Sequence, residues 1–386
     1  MASEKGDRQL AMFGSAHSEV RDRIKQLRLV RRWDQSTLGE KASVSTATIS
    51  NIELGRVAPT REQIEGIANA LGYSSEFLTS EIAMLPTTRP WLRAYADASK
   101  READSRTSAT ALAAEYVRRL GLKPLPDLIP VFAGPVDDEA IEEAASEMRQ
   151  LAQIDEDAVV TNAIRAAERL GCVVLPLESE LGRHLGMSVR ADQLPMVCVA
   201  KGEVPGDRQR WTVAHELGHL ALHGNAAPPR DSREARRMEN EAHRFAAAFL
   251  APGDALIETL RSVGGSVTLR ALAEIKAIWG VAIKALVHRF NELDIIDAGH
   301  ARSLYKQISA RKWTTDEPVD VPTETAQWFE RTLIRKAGSD DLATACRHLA
   351  AVVGGNADDL QSFADWTTQP EAEVLSFSEH QERRRG

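Results

Sequence analysis

Apolar residues recur at helical spacing in short groups near the start of the chain. The groups are Val20, Ile24 and Leu27; Leu38, Ala42 and Val44; Ile49 and Ile52; and Ile64, Ile67 and Leu71. Each group can bury one face of a short helix. Between Ala42 and Thr46 the chain turns within a few residues, which is typical of two helices set roughly perpendicular. The pattern predicts a compact five-helix module over residues 17–80.

Prolines interrupt the helical pattern after this module. An amphipathic stretch from Trp91 to Leu120 is followed by the string KPLPDLIPVFAGP, in which four prolines in thirteen residues forbid a continuing helix. We therefore expect a helical, proline-rich linker over residues 81–135. Residues 1–16 are mixed and unpatterned, and we expect them to form a flexible arm.

The second half of the chain mixes helical and strand patterns. Helical spacing covers residues 140–153, 156–170, 207–223, 233–250 and 269–293. The strings CVVLPL, GMSVRA and PMVCVA are typical of strands, and a polar turn at Asp192 and Gln193 joins the last two into a hairpin. The fold class predicted is α+β and mostly helical. We expect a domain with a small antiparallel sheet over residues 136–318 and a helical C-terminal region over residues 319–386.

Composition restricts the class of protein. The chain has 386 residues, of which 43% are hydrophobic and 27% charged, with a net charge of −8. These values indicate a globular protein of two or three domains and argue against one that coats nucleic acid along its whole length. The N-terminus lacks a signal-peptide core, and no stretch approaches the ~20 apolar residues that a membrane span needs. We therefore expect a cytoplasmic protein with no membrane partner.

The charge is unevenly distributed. Residues 19–62 carry nine Lys or Arg against six Asp or Glu, a net charge of +3, which leaves −11 for the rest of the chain. The one basic segment thus coincides with the predicted helical module. An acidic average therefore conceals a segment whose charge suits contact with DNA phosphates.

This basic segment carries the string Gln35-Ser36-x-Leu38-x5-Val44-Ser45-x3-Ile49-Ser50-x2-Glu53-x-Gly55. It resembles the Xre or phage-repressor type of helix-turn-helix domain. The resemblance implies a recognition helix that begins near Ser45 and presents four residues to base edges, namely Thr46, Ala47, Ser50 and Asn51. Gln35 and Arg56 would contact the DNA backbone. Because small side chains read bases weakly, we expect a homodimer on a two-fold operator in double-stranded DNA. A helical bundle used only for protein contacts is the alternative.

A second motif, His215-Glu216-x-x-His219, lies in a helical pattern. Residues four apart share one helix face, so the two imidazoles can bind a single zinc ion. Glu216 lies beside that pair, where it can take a proton from an attacking water and pass it to a leaving amine. Three cysteines lie far apart with no Cys-x-x-Cys pair, so a metal in this chain is held by His and Glu.

A catalytic zinc site uses three protein ligands. The following helix offers Glu239 on its packed side and Glu241 rotated away from it, so we favour Glu239 and keep Glu241 as the alternative. We expect His243, four residues after Glu239, to support the ligands or to stabilise a transition state. His223 lies too far along the helix axis to be a third ligand, and we expect it to support the site or to pack.

The metal motif has a wider context. Its strings are Arg210-Trp211-Thr212-x-Ala214-His215-Glu216-Leu217-Gly218-His219-x-x-x-His223 and Glu239-x-x-Ala242-x-x-Phe245-Ala246-Ala247-x-Leu250-x-Pro252. They resemble the ImmA/IrrE family of zinc metallopeptidases, and the likeness covers roughly residues 140–318. The family usually has Asn or Asp where this chain has His243, and often Met where it has Ala251.

The resemblance implies a regulatory protease of a stress response, with one zinc ion per chain, that cleaves a repressor or an antitoxin. Joined to a DNA-binding domain, it predicts a sequence-specific transcriptional regulator whose zinc-dependent endopeptidase cleaves such a protein or the chain itself. The alternative is a repressor whose zinc domain is a non-catalytic sensor or dimerisation module. Glu216 favours the enzyme, because a purely structural zinc site has no use for that carboxylate.

Overall fold

The computed structural model describes residues 19–80, 100–132, 136–177, 186–191, 193–202, 204–224, 226 and 229–367. The arm predicted over residues 1–16 lies outside the described residues. So do residues 81–99 of the predicted linker and residues 368–386 of the predicted C-terminal region. Within the described part the chain is mostly helical with one small sheet, which confirms the predicted α+β class.

The first five described helices build the N-terminal module. They are α1 (19–30), α2 (Gln35–Ala42), α3 (Thr46–Glu53), α4 (Arg61–Leu71) and α5 (Ser75–Thr79). Helices α2 to α5 each follow a residue whose side chain accepts a hydrogen bond from the backbone N–H three positions on, namely Asp34, Ser45, Thr60 and Ser74. Such caps fix where a helix starts. Ile24, Ile49 and Ile67 are fully buried, as the helical spacing predicts.

The remaining elements follow in chain order. They are α6 (Lys100–Arg119), α7 (Asp138–Leu151), α8 (Ala163–Arg169), β1 (Val173–Leu177), β2 (Gly186–Ala191), β3 (Leu194–Ala200), α9 (Gly206–His223), α10 (Ser232–Leu250), α11 (Gly253–Ser262), α12 (Leu269–Trp279), α13 (Ile283–Glu292), α14 (Ala298–Ala310), α15 (Trp328–Ala337), α16 (Leu342–Val353) and α17 (Ala357–Ser362).

The described strands form one sheet in the order β1-β3-β2. The predicted hairpin is present, with β2 antiparallel to β3. On the other side of β3, β1 pairs in parallel, with Val173 opposite Met196. The sheet is therefore mixed rather than purely antiparallel. Strand composition and alternation carry no information about the direction in which a strand outside the hairpin pairs.

Helix α8 starts later than the spacing predicts. The apolar pattern places a helix over residues 156–170, but the helix begins at Ala163, where Asn162 caps it. The residues before the cap are held in a non-helical path by Arg149. Its guanidinium donates to the backbone oxygens of Asp155 and Ala158, at 2.7 and 2.5 Å. A buried cation from α7 thus supplies the hydrogen bonds that helix formation would have supplied.

The two faces of the sheet contribute to two different cores. Alternate strand residues point to opposite faces, so Val174 and Val197 join the core built on α9 and α10. Val173 and Met196 join the core that contains α1 to α6 and the C-terminal helices α15 to α17. The sheet thus stands between the helix that carries the His-Glu-x-x-His motif and the N-terminal module.

The N-terminal module is docked by polar contacts as well as by its apolar faces. The Tyr73 hydroxyl donates to Asp359 Oδ2 at 2.5 Å, and the Ser74 N–H donates to the Gly354 carbonyl at 2.8 Å. Both partners belong to the C-terminal region. The described C-terminal helices therefore pack against the N-terminal module, although more than 250 residues separate them in sequence.

The N-terminal module also docks on α6, and a buried ion pair between Arg23 of α1 and Glu115 of α6 allows this docking to be tested. Removing one member of such a pair leaves a charge buried without its partner. We expect Glu115→Ala to lower the free energy of urea unfolding of the full chain by about 3–5 kcal/mol. Glu65→Ala, which breaks the exposed Arg61–Glu65 pair, is the matched control and should leave that free energy nearly unchanged. Equal effects of the two substitutions would contradict the docking.

Candidate functional site

Helices α9 and α10 pack closely because small residues lie between them. Gly218 lies against Phe245, and a Cβ at position 218 would sit 2.9 Å from a ring carbon. Only glycine allows that approach. Ala242 and Ala246, on the facing side of α10, are fully buried. Side chains that enter the seam between the two helices are therefore brought within bonding distance of one ion.

The ligand atoms of His215, His219 and Glu239 converge in this seam. The two imidazole Nε2 atoms are 3.1 Å apart. Glu239 places one carboxylate oxygen 3.6 Å from His215 Nε2 and the other 3.8 Å from His219 Nε2. A tetrahedral zinc ion with bonds near 2.0–2.1 Å holds its ligand atoms about 3.3 Å apart. The donor set and its spacing thus fit one zinc ion.

Both imidazoles are neutral near neutral pH, which is the form that binds a metal. Burial, with smaller contributions from the His243 and His223 rings, lowers the pKa of His215 to about 3. Burial and the neighbouring rings hold the pKa of His219 well below its usual value. The two facing nitrogens are therefore ready to donate lone pairs.

Glu216 lies beside the ligands and faces strand β2. Its Oε2 accepts a hydrogen bond from the Ser188 hydroxyl at 2.6 Å. Burial raises the pKa of Glu216 to about 8; the Ser188 hydrogen bond opposes this rise and the charge of Glu239 adds to it. A Cβ at Gly186 would lie 2.3 Å from Thr212 and 3.2 Å from Glu216, so the strand approaches the carboxyl because residue 186 has no side chain. This carboxyl can both take up and release a proton near neutral pH.

Ser188 was not singled out from the sequence, although a signal was present. In β2 the face formed by Gly186, Ser188 and Arg190 is small or polar, whereas the opposite face carries Met187 and Val189. A small or polar face in a sheet that is covered on both sides requires a polar partner. Here the partner of Ser188 is the carboxyl of Glu216.

The alternative ligand, Glu241, has a different partner. Its Oε2 lies 2.9 Å from Nε2 of His223, and its Oε1 accepts from Arg237 at 3.2 Å. Nδ1 of His223 lies 3.0 Å from Nδ1 of His219. The structure thus places Glu239 with the ligand atoms, and places His223 and Glu241 behind His219.

His243 lies at the exposed rim of the site. The Trp211 indole N–H donates to its Nδ1 at 3.3 Å, and its ring centre is 4.5 Å from that of His215. Because Nδ1 accepts, the neutral ring carries its proton on Nε2. Trp211 therefore fixes the tautomer of this histidine.

Comparison with known families finds a match for two segments of the chain. Residues 167–291 match the family described as the IrrE N-terminal-like domain, and residues 24–78 match the helix-turn-helix family. The chain fuses an Xre-type helix-turn-helix domain to an ImmA/IrrE-like metallopeptidase domain. None of the curated proteins matches the chain as a relative. No helix in the described part of the chain is long and apolar enough to cross a membrane.

The helix-turn-helix domain presents most of its predicted DNA contacts on α3 and the turn after it. Thr46, Ala47 and Arg56 are exposed, and Ser50 and Asn51 are half-buried. Gln35, at the start of α2, is held differently. Its amide donates to Glu53 at 2.8 Å, the carboxylate that Arg28 also binds through two hydrogen bonds.

The raised pKa of Glu216 predicts how the stability of the metal-free metallopeptidase domain depends on pH. The unfolded chain ionises this carboxyl near pH 4.5, whereas the folded chain keeps the proton to about pH 8. Wild-type protein therefore loses stability as the pH rises between these values, and Glu216→Gln removes that loss. We expect the variant to gain on wild type by about 1.4 kcal/mol per pH unit across this window.

The measurement is urea unfolding in a chelator at pH 5, 6, 7 and 8. Glu139→Gln, at an exposed position of α7, controls for the loss of one carboxylate. A stability difference between Glu216→Gln and wild type that stays constant from pH 5 to pH 8 would show that the folded protein holds Glu216 ionised, against the expectation.

Proposed function

We propose that this protein is a cytoplasmic, sequence-specific transcriptional regulator whose metallopeptidase domain cleaves one peptide bond in a repressor-like or antitoxin-like protein, or in itself. The observation that carries the proposal is the buried carboxyl of Glu216, which is hydrogen-bonded by Ser188 and lies beside the converging side chains of His215, His219 and Glu239. A site that only held a metal would not need a buried acid next to its ligands. Peptide hydrolysis does need one.

His215, His219 and Glu239 would hold the zinc ion. When bound, zinc supplies Lewis acidity, which polarises the scissile carbonyl and makes water easier to deprotonate. Glu216 takes the proton of the attacking water as the new C–O bond forms. It then gives that proton to the leaving nitrogen as the C–N bond breaks, so the carboxyl ends as it began.

Two residues near Glu216 would assist these proton transfers. Ser188 holds one oxygen of Glu216 through a hydrogen bond and so orients the carboxyl. His243 carries its ring proton on Nε2, because Trp211 donates to Nδ1. We assign His243 to stabilising the negative oxygen that develops on the carbonyl, the role that a fixed hydrogen-bond donor fills in acyl transfer.

The helix-turn-helix domain would direct the protein to its site on DNA. We propose that it binds double-stranded DNA as a homodimer on a two-fold operator, with α3 in the major groove. Thr46, Ala47, Ser50 and Asn51 would face bases, and Arg56 would face phosphate. The local charge of +3 over residues 19–62 supports this contact.

A non-catalytic sensor is the second candidate, and one observation favours it. The sheet beside the metal ligands also contributes to the core that holds the helix-turn-helix domain. Binding of an ion in the seam could therefore alter DNA binding without any turnover. The same zinc ligands serve both candidates, but only the enzyme needs Glu216.

Zinc content and cleavage separate these candidates. We expect wild type and Glu216→Gln each to bind one zinc ion, and His215→Ala to bind none. New protein N-termini, including any in the chain itself, should appear in cells that express wild type and not in cells that express Glu216→Gln. Identical sets of N-termini in the two strains, with zinc bound in both, would contradict the enzyme and leave the sensor.

The DNA assignment has its own test. We expect Arg56→Ala to weaken binding evenly across DNA sequences and to reduce the slope of log affinity against log salt by about 1. Binding to the DNA upstream of the gene is followed by fluorescence anisotropy at several salt concentrations. Arg233→Ala, at an exposed arginine on α10, is the matched control. An unchanged slope for Arg56→Ala would remove Arg56 from the interface.

A further inference from the structure

Behind the zinc ligands lies a row of buried polar side chains that ends at the surface. His219 Nδ1 is 3.0 Å from His223 Nδ1, and His223 Nε2 is 2.9 Å from Glu241 Oε2. Arg237, which is 58% exposed, donates to the other oxygen of Glu241 at 3.2 Å. His223 is 2% exposed and Glu241 is 7% exposed.

Hydrogen-bond chemistry permits one placement of the protons along this row when His219 is a ligand. A ligand Nε2 must offer a lone pair, so the neutral His219 ring carries its proton on Nδ1. That N–H donates to His223 Nδ1, which must therefore be the unprotonated nitrogen of its ring. The proton of His223 then lies on Nε2 and is donated to the carboxylate of Glu241. Every donor in the row meets an acceptor.

The other histidine ligand has no such support. Within the described residues, Nδ1 of His215 is buried without a hydrogen-bond partner. The two imidazoles that face the ion thus differ in what stands behind them. Only His219 is connected through a second ring to a carboxylate.

We propose that His223 and Glu241 are positioning residues that fix the orientation and the proton of His219 and so set the affinity of the metal centre. This inference rests on the proposed zinc site and extends it to two residues that touch neither the ion nor the substrate. Carboxylate groups that act through a ligand histidine typically alter metal affinity by roughly 10- to 100-fold when they are removed. In this chain the carboxylate of Glu241 would act through two imidazole rings, those of His223 and His219.

The test uses the purified full chain and compares Zn²⁺ affinity, by competition with a chromophoric chelator, across matched variants. His223→Leu removes both hydrogen bonds, whereas His223→Gln keeps an acceptor for His219 and a donor for Glu241. Glu241→Gln removes the charge, and the double variant His223→Leu with Glu241→Gln tests whether the two act in one row. His348→Leu, at an exposed position of α16, is the control for the substitution itself.

We expect His223→Leu to weaken Zn²⁺ binding by roughly 10- to 100-fold, Glu241→Gln to weaken it less, and His223→Gln to retain most of the affinity. Because Glu241 acts through His223, adding Glu241→Gln to His223→Leu should cause no further loss of affinity. The visible absorption spectrum of the Co²⁺-loaded protein should shift in His223→Leu and not in His348→Leu. Urea unfolding in a chelator shows whether each variant is folded before the metal is added.

Two outcomes would overturn the inference: Zn²⁺ affinity in folded His223→Leu within twofold of wild type, or losses in the two single variants that multiply in the double variant. If His223→Leu does not fold, His223→Gln and Glu241→Gln carry the test, and equal losses of affinity in both would contradict it. Failure of the proposed function looks different, because wild-type protein itself would then bind no Zn²⁺.

Discussion

Burial of ionisable side chains on α9 is the constraint on which the rest of the structure depends. Removal from water disfavours the charged forms, so the two imidazoles stay neutral and Glu216 keeps its proton to about pH 8. These three side chains thus offer two lone pairs and one carboxyl that can exchange a proton near neutral pH. Burying these three side chains costs stability in the absence of an ion. Contacts with other elements must therefore hold α9 in place.

Side chains from other elements hold the first turn of α9 in place. Lys276 donates to Asp207 of α9 at 2.7 Å and to Glu317 at 2.8 Å, so one buried cation joins the helix to a distant segment. Close by, Arg210 pairs with Glu324 at 2.6 Å. The segment that supplies these two carboxylates therefore lies over the start of α9. The positions of His215 and His219 on α9 therefore depend on residues a hundred places further along the chain.

Local chemistry explains what could be predicted from the sequence. The apolar spacing predicts the helices of the first module, and the spacing of His215 and His219 on one helix face implies that they converge. These features depend on neighbours a few residues apart. The parallel pairing of β1 and the late start of α8 could not be predicted, because each is decided by contacts between distant elements. Arg149, for example, reaches from α7 to the loop before α8.

The candidate site also has some features that could be predicted from the sequence and others that could not. The preference for Glu239 over Glu241 followed from helix geometry, and in the structure Glu239 converges with His215 and His219. The partner of Glu241 could not be read from the sequence. His223 lies eighteen residues away and meets Glu241 only because α9 and α10 pack closely across Gly218. Ser188 comes from a strand that precedes both helices.

The shared sheet links the helix-turn-helix domain to the metallopeptidase domain. One sheet face contributes to the core under α9, and the other contributes to the core that holds α1 to α6. The helix-turn-helix domain is also tied to the C-terminal helices through Tyr73 and Asp359. Cutting the backbone ahead of α6 would leave these non-covalent contacts intact, so scission there would not by itself free the DNA-binding domain. Release would require the interface to open as well, and any change that loosens the sheet acts on both cores.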